Sequence, residues 1–215
     1  MPQVRSETRL VDPQGLRGLC AQLLVGAGVR PADAEVVAES LVEANLRGVD
    51  SHGVARLPHY LRRIEHGSIN PRPEIRVESL APAAARVHGD RGLGQLVMRR
   101  AADEAVALAR QAGAAWVAVA DSSHCGALAY YGRRIAAADM IGLVFSHVDP
   151  MVLPHGSREP FCGTNPICIT AGRDDPPGQM LCLDMATSKV PWNTIANAAA
   201  EGVPLETGWA VDADG

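Results

Sequence analysis

The hydrophobic periodicity of the chain changes near Ile75, and this change limits what the chain can fold into. Before Ile75, apolar side chains recur at helical spacing, and Pro and Gly residues delimit the segments. After Ile75, short apolar runs alternate with helical segments. This alternation predicts an α/β sheet preceded by a helical arm. The three helices of the arm are predicted at Leu16 to Gly26, Pro31 to Gly48 and Leu57 to Gly67.

The part of the chain after Ile75 is predicted to alternate between strands and helices. Two of the apolar runs, at 114–120 and 141–145, lack polar residues and therefore predict strands buried on both faces. Other strands are predicted at 75–80, 84–88, 166–170, 180–185 and Trp209 to Asp212, and helices at about 94–111 and 127–138.

Asp214-Gly215, at the end of the chain, is a dipeptide typical of hairpin turns. A hairpin turn requires a returning strand, which would lie beyond Gly215. We therefore expect the chain to be truncated at its C-terminus.

Charge and composition exclude several classes of protein. The 20 Lys and Arg against 24 Asp and Glu give a net charge of -4, and aromatic residues make up 4%, which argues against nucleic-acid binding. No apolar run is long enough for a transmembrane helix, and the N-terminus lacks the apolar core of a secretory signal. The five cysteines form no C-x-x-C pair, which is typical of reduced thiols in a cytoplasmic protein.

His124 is the first candidate for chemistry. It follows the predicted strand at 114–120, and ligands of open α/β sheets bind beyond the carboxyl ends of strands. A histidine titrates near neutral pH and can act there as a general acid or base. The alternative is structural: Ser122 or Ser123 would cap the next helix, with His124 in its first turn.

Ser51, His52 and Arg56 form the second candidate group. Histidine and arginine four residues apart share one face if the helix is continuous. The planar guanidinium of arginine suits a substrate carboxylate, because it donates two parallel hydrogen bonds. The alternative is a solvated basic face, since further basic residues follow: Arg62, Arg63 and His66.

Two further segments are candidates for ligand contacts. Phe161–Pro166 predicts a tight polar loop, in which Gly163 permits close approach of the backbone. Asp184 ends a predicted buried strand, where a carboxylate can bind a ribose hydroxyl or orient a histidine. The alternatives are an ordinary turn for the loop and an N-cap of the next helix for Asp184.

Several known motifs are missing from the sequence. Gly92–Val97 begins like a dinucleotide fingerprint but has Val97 at the position of the third glycine, so it does not predict a Rossmann loop. No metal site is predicted, because the histidines are widely dispersed. Two less favoured hypotheses are a metal-dependent hydrolase using His52, His124 and Asp184, and a thiol nucleophile at Cys125.

Five blocks of the sequence resemble the malate/L-lactate dehydrogenase family, a group of NAD(P)-dependent oxidoreductases unrelated to the Rossmann-type lactate dehydrogenases. The family includes malate, L-lactate, sulfolactate and ureidoglycolate dehydrogenases and reductases of cyclic imino acids. The resemblance implies a helical N-terminal arm and a mixed-sheet, non-Rossmann nicotinamide-binding domain. The blocks are Arg47–Arg56, Ser123–Ala127 with Tyr130-Tyr131, Gly163–Pro166, Asp184–Ser188 and Gly208–Asp212.

The resemblance implies a cytoplasmic, homodimeric enzyme that transfers a hydride between NAD or NADP and C2 of a small 2-hydroxy or 2-oxo acid. His124 would be the general acid or base, and Asp184 would contact the cofactor or orient a histidine. The implied substrate-binding residues are Ser51, His52, Arg56 and Asn165, and the implied cofactor-binding residues are His124, Val148, Asp184, Met185 and Ala186.

The chain departs from its relatives at three points. Val148 replaces a small polar residue, and Pro191–Thr194 stands where many relatives have a Gly-Lys pair. Relatives also continue beyond Gly215. The resemblance implies that residues 1–73 contribute to the substrate site and the dimer. Because relatives continue beyond Gly215, we expect residues 74–215 to form an incomplete cofactor-binding domain. The alternative is a truncated, inactive chain that only dimerises or binds ligand.

Overall fold

A computed structural model describes residues 10–172 and 179–211. Two short 3-10 helices, Asp50–His52 and Val54–Arg56, connect the second and third helices. The helices are α1 (Pro13–Gly26), α2 (Pro31–Leu46), α3 (Leu57–Glu65), α4 (Gly94–Ala112), α5 (Ala129–Ala136) and α6 (Trp192–Glu201). The strands are β1 (Arg76–Ala81), β2 (Ala84–Gly92), β3 (Trp116–Ser122), β4 (Gly142–Phe145), β5 (Ile167–Gly172) and β6 (Met180–Met185).

The N-terminal arm consists of α1, α2 and α3, as the sequence predicts. Asp12 caps α1 by accepting a hydrogen bond from the Gly15 N–H, and Pro13 and Pro31 occupy first-turn positions that need no N–H. The arm shares one core with the start of α4, through Leu93 and Leu96. The arm is therefore packed directly onto the sheet-forming part of the chain, and this packing positions the residues between α2 and α3.

The strands form two three-stranded sheets. In the first, β1 pairs antiparallel with β2, and β2 pairs parallel with β3, so this sheet is mixed, as the resemblance implies. In the second, β4, β5 and β6 are antiparallel. Helix α4 packs on β2 and β3, α5 packs on β4, β5 and β6, and the two helices contact each other. The α4–α5 contact thus joins the two sheets.

The burial predicted for three strands is wrong. No residue of β3 is fully buried, β4 alternates between buried and exposed positions, and β6 is almost entirely exposed. Trp116 is 65% exposed and Leu143 is 55% exposed. These residues line an apolar groove of about 420 Å³ between β3 and β4. Apolar composition shows that a strand can be buried, but the described residues cover only one face of these strands.

Two smaller predictions also differ from the structure. The segment predicted as a strand from Trp209 to Asp212 forms turns and irregular backbone up to Val211, and Asp212 lies outside the described residues, as does the Asp214-Gly215 dipeptide. Helix α5 begins two residues later and ends two residues earlier than predicted, because irregular backbone follows His124 up to Leu128.

Candidate active site

His124 lies in the irregular segment between β3 and α5. The Ser123 hydroxyl accepts a hydrogen bond from the Gly94 N–H at 3.0 Å, so it caps α4 and not the helix that follows it. Gly94 has no side chain, which lets α4 approach this segment closely: a Cβ there would overlap the carbonyl oxygens of Ser123 and His124. The predicted alternative, a cap of α5 by Ser122 or Ser123, is therefore wrong, since Leu128 occupies that N-cap.

One nitrogen of the His124 ring is held by Tyr60 from α3. The Tyr60 hydroxyl lies 2.7 Å from His124 Nδ1, and the backbone N–H of Gly126 approaches the same nitrogen at 3.4 Å. Tyr60 is fully buried. With Nδ1 occupied in this way, Nε2 is the nitrogen that remains for a reacting oxygen.

His52 stacks against His124. The ring centroids are 5.6 Å apart and the ring planes differ by 20°. Ser51 Oγ lies 2.9 Å from His52 Nδ1. The condition under which His52 and Arg56 would share one helical face is not met, because Gly53 adopts an extended conformation and separates the two 3-10 helices.

Asn45 of α2 fixes this break in the backbone. Its side-chain oxygen accepts a hydrogen bond from the Val54 N–H at 2.8 Å, and its amide nitrogen donates to Asp50. Gly53 packs directly on the Asn45 amide, where a Cβ would collide with it. The arm therefore determines the position of the residues that face His124.

The electrostatic environment keeps both histidines neutral. Burial, reinforced by His52, His59, Arg56 and Arg63, lowers the pKa of His124 to about 4. Burial also lowers the pKa of His52, with Asp184 acting in the opposite direction. Since positive groups surround a neutral His124, the site favours an anionic ligand.

Asp184 joins β6 to the start of α5. Its carboxylate accepts a hydrogen bond from the Ala129 N–H at 2.8 Å, at the first residue of α5. Asp184 therefore caps α5, which precedes it in sequence, and not the helix that follows it, as the alternative interpretation predicted. The strand that carries Asp184 is exposed, so the prediction of a buried strand is wrong. Met185 beside it is 53% exposed, and Ala186 is half-buried.

Asn165 and Val148 form a second group beside the end of β6. The Val148 N–H donates to the side-chain oxygen of Asn165 at 3.0 Å, and the Thr187 hydroxyl donates to the Asn165 carbonyl at 3.2 Å. Gly163 is buried against both partners of the first hydrogen bond, as the predicted tight loop requires. The structure thus brings Ser51, His52, Arg56 and His124 together, and places Asn165 and Val148 next to the strand that carries Asp184.

Two residues near His124 were not predicted as site residues. Tyr60 lies within the helix predicted from Leu57 to Gly67, and Gln95 lies within the incomplete dinucleotide fingerprint at Gly92–Val97, but the sequence assigns neither of them to the site. A polar group at a core-facing helical position was the available signal in both cases. Across residues 10–172 and 179–211, no group of three His, Cys, Asp or Glu side chains is arranged to hold a metal ion.

The fold and the site define a class: an α/β protein with a helical arm, a paired-histidine site and, among the residues that the structure describes, no Rossmann phosphate loop. The chain belongs to the malate/L-lactate dehydrogenase family, whose sequence profile matches residues 11–215. This confirms the resemblance carried by the five sequence blocks.

Individual relatives agree with this assignment. The chain is 40% identical over 205 residues to malate dehydrogenase from Pyrococcus horikoshii, covering 95% of this chain and 56% of that protein. It is 35% identical over 206 residues to ureidoglycolate dehydrogenase (NAD(+)) from Escherichia coli O157:H7, covering 95% and 58%. The solved structure of sulfolactate dehydrogenase from Methanocaldococcus jannaschii superposes with a TM-score of 0.87 at 34% identity, covering 96% of this chain and 59% of that chain.

The chain therefore spans less than two thirds of the length of these relatives. The name of one relative, ureidoglycolate dehydrogenase, specifies NAD(+), and the name of another, (2R)-3-sulfolactate dehydrogenase, specifies NADP(+). In the described part of the chain, no helix combines the length and apolar character needed to cross a membrane.

Proposed function

We propose that the protein acts as an NAD(P)-dependent oxidoreductase on a small 2-hydroxy or 2-oxo acid, with His124 as the general acid or base. The observation that carries the proposal is the arrangement of His124: Nδ1 is bound by Tyr60, His52 stacks on the ring, and Arg56 and Arg63 act on it electrostatically. An anionic substrate with a reacting oxygen at C2 fits these groups in charge and in chemistry.

The residues at the end of β6 fit the nicotinamide end of the cofactor. Met185 offers exposed apolar surface, and the Asp184 carboxylate lies within hydrogen-bond distance of Ala129, five residues after His124. Asp184, Met185 and Ala186 would hold the ring, with the Val148 segment beside them. When bound, the nicotinamide supplies or accepts the hydride at C2.

The side chains of the protein would bind the substrate and transfer the proton. Arg56 would bind the substrate carboxylate, with Ser51, His52 and Asn165 around it. In oxidation, neutral His124 would accept the hydroxyl proton at Nε2, and in reduction the same nitrogen would return it. A bound carboxylate raises the pKa of a neighbouring histidine, so substrate binding would move the pKa of His124 from about 4 toward neutrality.

Two further features are part of the proposal. We propose a cytoplasmic location, which the five free cysteines support, because thiols stay reduced there. We also propose a homodimer that involves residues 1–73, with 74–215 contributing the cofactor side. Leu19 and Leu23, four residues apart on α1, are 53% and 46% exposed and give the arm an apolar stripe suited to such a contact.

The test is the loss of NADH or NADPH absorbance with a panel of 2-oxo acids, using the wild-type chain, His124→Gln and the control His155→Gln. His155 is an exposed histidine in a turn. We expect His124→Gln to lower kcat about 10²- to 10⁴-fold and the control to leave it unchanged. Equal turnover by both variants would refute the role of His124, and ligand binding without turnover in the wild type would favour the ligand-binding alternative.

A further inference from the structure

Cys168 and Cys182 lie on neighbouring strands of the second sheet. In the antiparallel register of β5 with β6, Cys168 is directly opposite Asp184, and Cys182 is directly opposite Thr170. The two cysteines are therefore diagonal neighbours in the ladder. Diagonal neighbours on one face of an antiparallel sheet are close enough to interact.

Contacts with α5 show that both thiols point to the same side of this sheet. A Cβ on Gly132 would lie 2.8 Å from Cys168 Sγ, and Arg133 Nη1 donates a hydrogen bond to Cys182 Sγ at 3.6 Å. Gly132 and Arg133 are consecutive residues of α5, so both sulfur atoms lie against one turn of the helix. The structure thus brings two cysteines that are fourteen positions apart in sequence to one place.

The two thiols differ in accessibility and in chemistry. Cys168 has no exposed surface, and burial, reinforced by Asp184 and Cys182, raises the pKa of its thiol to about 12. Cys182 is exposed and carries the hydrogen bond from Arg133. Cysteines that react with oxidants are accessible and lie beside positive groups, and a second cysteine next to them often resolves the oxidised sulfur. Cys182 is therefore placed to react first, and Cys168 is placed to resolve it.

Closing a disulfide between them requires a small movement of β6. The Cα atoms of diagonal neighbours are roughly 7–8 Å apart, whereas those of a disulfide are usually about 4.4–6.8 Å apart. Strand β6 is almost entirely exposed and, in the described part of the chain, pairs only with β5, so it can shift. A bond closed in this way is strained and easily reduced, which suits a reversible switch.

This movement acts on Asp184. Asp184 is directly opposite Cys168 and two residues after Cys182, and its carboxylate accepts the hydrogen bond from the Ala129 N–H at 2.8 Å. A shift of β6 that draws the two sulfur atoms together displaces the carboxylate from the start of α5. It also moves Met185, the next residue of the strand.

We propose that Cys168 and Cys182 form a reversible disulfide in response to peroxide, and that this bond releases Asp184 from Ala129 and weakens the cofactor side of the site. Peroxide oxidises the Cys182 thiolate to a sulfenic acid and is itself reduced to hydroxide. The Cys168 thiol then attacks the Cys182 sulfur, the S–S bond forms, and the sulfenic oxygen leaves as water with the proton of Cys168. The effect on the cofactor rests on the proposed function, but the disulfide and the release of Asp184 do not.

The test treats the full 215-residue chain with hydrogen peroxide at neutral pH and maps its disulfides by mass spectrometry of non-reduced peptides. Cys182→Ser removes the reacting sulfur but keeps an exposed side chain of similar size. The matched control is Cys162→Ser, because Cys162 is the other exposed cysteine of the chain. Cys168→Ser leaves Cys182 without its resolving thiol. Hydrogen exchange of the Ala129 N–H reports the bond to Asp184.

We expect the Cys168–Cys182 disulfide in the wild type and in Cys162→Ser, reversal by dithiothreitol, and no such bond in Cys182→Ser. Cys168→Ser is expected to accumulate the Cys182 sulfenic acid, which dimedone traps. The Ala129 N–H should exchange about tenfold faster in the oxidised wild type, as loss of one hydrogen bond allows, and at an unchanged rate in peroxide-treated Cys182→Ser. No Cys168–Cys182 disulfide in the wild type, or unchanged Ala129 exchange in the oxidised protein, would overturn the proposal.

Turnover gives a separate readout. Oxidation of the wild type is expected to raise the KM for NADH or NADPH about tenfold, with recovery in dithiothreitol, and peroxide-treated Cys182→Ser should keep its KM. A protein without turnover that forms the disulfide and exchanges Ala129 faster would contradict the proposed function alone. An active enzyme whose KM is unchanged by the disulfide would contradict the proposed effect on the cofactor side.

Discussion

The candidate site has two unlike halves. We call His52, Tyr60, Gln95 and His124 the histidine half, and Asp184, Met185 and Ala186 the strand half. Tyr60 and Gln95 have no exposed surface, whereas Asp184 is exposed and Met185 is 53% exposed. The histidine half is held by packing of the arm against α4, and the strand half is held to α5 by one hydrogen bond from the Ala129 N–H.

The difference matches the two tasks that the proposed dehydrogenase site would perform. A proton-transfer group needs a fixed orientation and a controlled pKa, which burial supplies. A surface that binds and releases a cofactor at each turnover must stay accessible. The same difference predicts that substitutions in the histidine half lower the stability of the fold more than substitutions in the strand half.

The largest effect is expected from pH. The pKa of His124 is about 4 in the folded protein and 6.5 in an unfolded chain, so the unfolded chain binds the proton first as the pH falls. The free energy of unfolding should therefore decrease by about 3 kcal/mol between pH 6.5 and pH 4 through His124 alone. Denaturant unfolding of the wild type and of His124→Gln across this range measures it, and an equal decrease in both proteins would contradict the assignment.

A methyl group at Gly94 should be the next most costly change. Its Cβ would overlap the backbone of Ser123 and His124, so we expect Gly94→Ala to lower the free energy of unfolding by about 1–3 kcal/mol. The matched control is Gly18→Ala on α1, where no atom lies within 4 Å and alanine should stabilise the helix by roughly 0.5–1 kcal/mol. Thermal or denaturant unfolding measures the change in the free energy of unfolding for both variants. Stabilisation by both substitutions would show that the close packing of α4 is unimportant.

Asp184→Ala should have a smaller effect in the strand half. The substitution removes the acceptor of the Ala129 N–H at the start of α5, and losing such a cap costs about 1 kcal/mol. Asp184→Asn keeps a side-chain oxygen and should retain most of this stability. If the two variants unfold alike, the hydrogen bond does not contribute as the structure indicates.

Met185→Ala should change stability least. The side chain is half exposed, so we expect the free energy of unfolding to change by less than about 0.5 kcal/mol. The proposed cofactor contact predicts a raised KM for NADH or NADPH in the same variant. A large loss of stability would show that the strand half is built into the core as firmly as the histidine half.

The sequence predicted the helices of the arm well because local signals determine them. Pro13 and Pro31 occupy the first turns of α1 and α2, and glycines follow the helix ends. His124 was predicted as a site residue because it follows a strand directly. These inferences need only neighbouring residues, and the structure confirms the order of the helices and strands from α1 to β6, whereas α6 (Trp192–Glu201) was not predicted.

Burial and tertiary partners could not be predicted in the same way. The apolar run of β3 indicated a buried strand, but its exposure depends on what covers each face, which no local pattern specifies. Tyr60 and Gln95 lie far from His124 in sequence, and their placement depends on a contact between α3, α4 and the His124 segment. Ser123 caps α4 across 29 residues, whereas a local pattern predicts a cap only for the adjacent helix.

The hydrogen bond between Tyr60 and His124 joins residues 64 positions apart. A ribosome adds roughly 5–20 residues per second, so several seconds separate the synthesis of Tyr60 from that of its partner. During this interval α1 and α2 can form, and α4, which completes their core, is synthesised only in its second half, while the His124 segment is not yet available. Tyr60 of the nascent arm is therefore incompletely covered at first, and the histidine half of the site is completed only when the start of α4 and His124 have both left the ribosome.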